Sequence, residues 1–109
     1  MNYKITYYSD EVLMEILSLP DTIQSKYISL SGRMKDSGAN LGLPHTKALG
    51  EGLFELRLKG AEGIARVFYC TLIGSQIMML HSFVKKTQKI PLKELRIAKT
   101  RMNEVKNEH

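Results

Sequence analysis

Arg57, Arg66 and Lys85 sit in three separate strand-like segments, yet pairing arithmetic brings them together. If Gly60-Ala61-Glu62-Gly63 is a four-residue hairpin loop, Lys59 faces Ile64 and Arg57 faces Arg66. If Gly74-Ser75 is a two-residue turn, Ile73 faces Gln76, Phe68 faces His81 and Arg66 faces Phe83, with Lys85 diagonal to Arg66. Alternate residues share a face, so Glu55, Arg57, Arg66, Phe68, His81, Phe83 and Lys85 fall on one surface of the sheet. Like charges directly opposite on a sheet repel, so the cluster makes sense only with an anion, or Glu55, among its cations. Two readings follow: Glu55 pairs with an arginine and the face merely solubilises, or the guanidinium forks hold a phosphate. His81 also has two. It packs half-buried on Phe68, or it serves as a base whose protonated form three neighbouring cations disfavour.

Positioning those side chains requires a sheet and something to cover it. Tyr3 to Tyr8 is β-branched and aromatic and reads as a strand. Ser9-Asp10 caps a helix carrying Val12, Leu13, Ile16 and Leu17, which Pro20 stops. A second helix from Asp21 puts Ile23, Tyr27, Leu30 and Met34 on one face, making a helical hairpin with the first. Between Gly38 and Gly52, four glycines and Pro44 read as one long connection, in which His45 is expected to be an ordinary solvated side chain. The runs 53–59, 64–72 and 76–84 form an antiparallel meander covered by helices on one side. Pro91 opens a closing helix whose stripe of Leu92, Leu95, Ala98, Met102 and Val105 is core, while Lys93, Arg96 and Thr100 face away. The expected class is α+β: an N-terminal strand and helical hairpin, an antiparallel β-meander and a C-terminal helix, in one domain spanning residues 1–109.

Charge narrows the partners. The first fifty residues balance five basic against five acidic side chains, so the formal net charge of +5 resides in the remainder. From His81 to Arg101 there are seven lysines and arginines against Glu94. Such a surplus attracts a polyanion, although an acidic protein would satisfy it too. The single cysteine, Cys70, excludes an intrachain disulfide and reads as a small buried hydrophobe, so a reducing cytoplasm is the expected setting. No apolar run reaches the roughly 18 residues of a spanning helix, and no membrane association is expected. HExxH, CxxC, GxGxxG and Walker patterns are absent, which leaves no cofactor or metal to expect.

The ordered set Lys47-Ala48-Leu49, Gly52 to Arg57, Ala65 to Tyr69, Leu80 to Thr87, Pro91 and Ala98 resembles the HigB branch of the RelE-type toxins of type II toxin-antitoxin systems. The resemblance covers roughly residues 43 to 102. It implies a small RelE-like fold and a ribonuclease that cuts mRNA in the ribosomal A site. It also implies a cognate helix-turn-helix antitoxin as partner, with operator DNA reached only through the toxin-antitoxin complex.

Residue by residue, Arg66 matches the family's most dependable catalytic position, Arg57 the arginine ending the ELR segment, and Lys85 and Lys86 the basic pair after the last strand. RelE carries a lysine where this chain has Glu55, and a tyrosine that residues 87–91 lack. The implied chemistry is metal-independent attack of a ribose 2′-hydroxyl on its own 3′ phosphate. Arg66 would hold the scissile phosphate, Arg57 and Lys85 would add charge, and His81 would be the base, while Lys86, Lys89, Lys93 and Arg96 would bind RNA. The competing reading is a non-catalytic basic RNA-binding module.

Overall fold

The computed structural model of the protein describes residues 2–85 and 89–108. In chain order the elements are β1 (Lys4–Tyr7), α1 (Asp10–Leu17), α2 (Asp21–Ser37), β2 (Thr46–Gly50), β3 (Leu53–Gly60), β4 (Gly63–Leu72), β5 (Gln76–Lys85) and α3 (Leu92–Glu108). The five strands make one sheet in the order β1-β5-β4-β3-β2, in which β1 runs parallel to β5 and the other neighbours are antiparallel. No helix among the described residues is long and apolar enough to cross a membrane.

Helices cover both faces of this sheet, not one. Ser9 caps α1 by accepting from the Val12 N–H at 3.2 Å, and Val12 and Ile16 are buried while Leu17 stays exposed. The α2 stripe of Ile23, Tyr27, Leu30 and Met34 is buried as its spacing predicts, against Leu56, Leu58, Val67 and Tyr69. On the opposite face α3 buries Ala98, Met102 and Val105 against Leu53, Phe68, Cys70 and Leu80. Leu92, expected in that stripe, is 74% exposed because the helix begins beyond the sheet's cover. Burial on both sides explains why Ala65 to Cys70 of β4 are all buried without alternation.

The supposed long connection contains β2. It is a short edge strand whose Lys47 and Ala48 are exposed, so no alternation marks it in the sequence. Its reversal into β3 works through Gly50, Glu51 and Gly52, with φ of 98°, 57° and 86°. The β3–β4 register is the expected one, Arg57 opposite Arg66, and runs one pair further to Gly60 opposite Gly63.

The β4–β5 pair differs at its turn. Leu72, not Ile73, faces Gln76, so the loop is Ile73-Gly74-Ser75. A bulge then places Leu80 between the pairs Tyr69–Met79 and Phe68–His81, and this restores the expected register through Arg66–Phe83. A bulge leaves a ladder group without its strand partner; here the Leu80 carbonyl accepts from Arg101 Nη1 of α3 at 2.7 Å.

The β3–β4 turn also serves α2, whose first residue follows Pro20 with no side-chain cap. Glu62 supplies it, accepting from the Thr22 N–H at 3.2 Å, while Ala61 N–H donates to Thr22 Oγ1 at 2.8 Å. This brings Gly60 so close under α2 that a Cβ there would meet the Ile23 backbone nitrogen at 2.9 Å and also Thr22 Oγ1. Gly60→Ala is therefore expected to cost about 1–3 kcal/mol of stability, read as a lowered urea midpoint at unchanged slope.

Candidate functional site

The β3–β4 register forces Arg57 and Arg66 side by side, and Glu55, two residues earlier on the same face, lies between their charges. Its carboxylate is fully buried. Oε1 accepts from Arg57 Nε at 2.8 Å and from Arg66 Nη1 at 3.0 Å. Sequence left open whether Glu55 or an external anion answers the arginines; within the structure Glu55 does. The Arg66 side chain is 9% exposed and that of Arg57 33%. Burial pulls the Arg66 guanidinium below the usual arginine range, opposed by Glu55 and reinforced by Arg57.

Lys85 ends β5 opposite Ile64, on the face of Arg66. Partial burial pulls its ammonium below the usual lysine range; Arg66 and Arg57 push the same way and Glu55 opposes them. Three cations thus share one carboxylate, and the neighbourhood keeps a positive surplus.

Arg57 and Arg66 line a pocket of about 370 Å³ with Lys26, Pro44, His45, Leu58, Lys59 and Ile64. His45 is fixed there by its backbone: its N–H donates to the Gly42 carbonyl at 3.0 Å, and its own carbonyl accepts from Arg57 N–H at 2.8 Å. A plain connection over 38–52 gives this imidazole no place beside the arginines. The signal that finds it is the Gly-Glu-Gly reversal, because counting back from Leu53 across a tight turn lays residues 45 and 46 beside Arg57 and Leu56.

His81 faces Phe68 as expected and lies 6.2 Å from the Phe83 ring, centroid to centroid. It does not sit among the cations. Its Nε2 is 2.7 Å from Glu94 Oε2 of α3, and it lines a different groove, of about 440 Å³, with Glu15, Phe83 and Val84. The cause is α3, which packs over this face and holds the imidazole to itself through Glu94.

Lys93 and Arg96 are exposed on α3 and line a groove of about 370 Å³ with Tyr8, Arg101 and Glu104. Arg101, counted in the basic surplus, is structural; besides its bond to Leu80 it lies 4.8 Å from the centre of the Tyr8 ring. Lys89 is exposed, and Lys86 lies outside the described residues. Among the described residues no group of three or more His, Cys, Asp or Glu is placed to hold a metal ion.

With that geometry stands one match: residues 14–103 fit the model of the family described as phage derived protein Gp49-like (DUF891). The chain belongs to this family. Gp49-like proteins are RelE/toxin-like and associated with toxin-antitoxin systems. The match spans every strand from β2 to β5, both arginines and Glu55. No curated protein matches this Gp49-like chain.

In this Gp49-like protein Glu55 pairs with the buried Arg66 guanidinium and the half-exposed Arg57, so removing it strands a buried cation. Glu55→Ala is expected to cost about 3–5 kcal/mol, and adding Arg66→Met should recover most of that loss. Urea unfolding of the two single variants and the double variant measures the coupling directly.

Proposed function

We propose that the protein is the toxin of a type II toxin-antitoxin pair, a RelE/HigB-like endoribonuclease that cuts mRNA on the ribosome. The observation that carries this reading is the pocket in which His45, Arg57 and Arg66 meet. A phosphodiester lying there takes Arg66 on a non-bridging oxygen, with Arg57 and Lys85 offsetting the charge that builds on phosphorus.

The 2′-oxygen attacks the adjacent phosphorus as its proton passes to a base. The bond to the 5′ oxygen then breaks, and that oxygen receives a proton, leaving a 2′,3′-cyclic phosphate and a 5′-hydroxyl. The base role, expected of His81, goes to His45. His45 lines the pocket of the arginines, whereas His81 is held by Glu94 in another groove. Lys85, at the end of β5 on the face of Arg66, is assigned to protonating the leaving oxygen.

Lys86, Lys89, Lys93 and Arg96 are assigned to RNA contacts outside the pocket. Phosphate contacts of this kind position the protein without reading sequence. The partners in this reading are mRNA, the ribosome and a helix-turn-helix antitoxin, with operator DNA met only through the antitoxin complex, all in the cytoplasm.

The deciding experiment maps new mRNA 5′ ends in a translating extract, beside the same mRNA without ribosomes. Cuts confined to the translating sample are expected. Binding of RNA with no cuts in either sample would replace this reading with the non-catalytic module. Arg66→Lys keeps a cation against Glu55 but loses the fork, and should slow cutting by about 10²–10³-fold. His45→Gln should slow it by about 10²-fold or more, whereas His81→Gln should stay within tenfold; the reverse order would return the base role to His81. Lys93→Glu with Arg96→Glu should weaken ribosome binding most at low salt.

A further inference from the structure

The pocket at the arginines reaches further than the cleavage chemistry needs. Beyond Arg57, β3 has no strand beside it, because β2 begins only at Thr46 and Pro44 has no N–H to extend the ladder. The Arg57 N–H points to this side, toward the His45 carbonyl. By strand alternation the Lys59 N–H points the same way, into the opening. Around the open edge stand two more cations, Lys26 from α2 and Lys59 itself, above an apolar wall of Pro44 and Ile64 over Leu58. Neither lysine touches the Glu55 bridge, and the cleavage chemistry uses neither.

We propose that this open edge of β3 is a nucleotide subsite, with Lys26 and Lys59 taking the phosphate next to the scissile one and Pro44 and Ile64 packing the intervening base. This inference rests on the ribonuclease reading and extends it from one phosphate to two along a single strand. About 370 Å³ lies within the range of small-ligand pockets, roughly 300–1,000 Å³. Apolar packing on one side with cations at the rim is the pattern that holds an unstacked base and its backbone. An extended peptide could add to a bare strand edge, but four cations around the opening favour an anionic chain.

The test titrates the purified protein with an RNA trinucleotide whose riboses at the cleavable links are 2′-deoxy, following backbone amides by NMR. Shifts at Lys26, Lys59 and Ile64 are expected as well as at Arg57 and Arg66. Lys26→Gln with Lys59→Gln, one half-buried and one exposed, should weaken binding about tenfold. The slope of log affinity against log salt should fall by about 0.7, one single-strand phosphate contact. Wild-type affinity in the double variant, or shifts confined to Arg57 and Arg66, would overturn the subsite, and cutting in the translating extract would show the ribonuclease reading intact. Lysine-dependent binding without any cutting would uphold the subsite and sink the ribonuclease reading. Edge amides that move with an uncharged extended peptide but not with the trinucleotide would assign the edge to strand addition and overturn the proposal.

Discussion

A single buried carboxylate oxygen, Glu55 Oε1, holds together two arginines that the sheet register would otherwise set against each other. The register is hard to change. Sliding β4 by one residue would send Arg66 into the apolar layer under α2 and bring Ala65 and Val67 to the charged face. The sheet therefore accepts opposed guanidiniums, and Glu55 makes the arrangement tolerable at the cost of its own desolvation. What results is a pair of guanidiniums already oriented before any ligand arrives, still carrying a net positive charge with Lys85 nearby. Preorganised cations of this kind favour developing negative charge because little rearrangement is needed when it appears.

The second constraint is the bulge at Leu80. It compensates the three-residue turn so that Phe83 still faces Arg66, and it brings Leu80 to the face where His81 meets α3. Arg101 and Glu94 answer it from that helix, one at the freed carbonyl and one at the imidazole. The α3 residues thus separate into two kinds. Arg101 and Glu94 fasten the helix to β5, while Lys93 and Arg96 project outward from a helix already anchored. A basic surface on a fixed helix can contact a polyanion without ordering itself first, which spares the entropy of immobilising a loop.

Much of this is legible in the sequence, for physical reasons that differ between elements. The α2 stripe and the Arg57–Arg66 pairing follow from strict periods, 3.6 and 2, that burial enforces along whole elements. A two-residue turn after β4 is one residue too short, yet the register it gives at the site is the observed one, because the bulge cancels the extra loop residue. That agreement was compensation between two irregularities. The edge strand β2 leaves no signal because Lys47 and Ala48 are both exposed and break any alternation, and its place is set by backbone pairing to β3 together with the buried Thr46, whose hydroxyl accepts from the Gly42 N–H. His45 is hidden with it. Its importance comes from which strand it lies beside, a long-range fact that residue type cannot carry. The both-sided cover of the sheet was partly visible in the unbroken apolar runs of β4 and β5, which a one-sided sheet would not tolerate.

An open strand edge is ordinarily a hazard, since its unpaired groups invite another chain to add on. Here the edge of β3 beyond Arg57 stays open because β2 is short, and its surroundings are those that discourage strand addition: lysines at 26 and 59, and a proline at 44. The charges that repel a neighbouring copy of this basic chain are the same ones that attract an anion. A neutral peptide strand would have to bury ammonium groups to pair there, whereas a phosphate backbone would neutralise them. The shortness of β2 thus does two things. It opens an edge that Lys26 and Lys59 must guard by charge, and it leaves the arginine pair reachable from the side, at the place where the sheet's own hydrogen bonding stops.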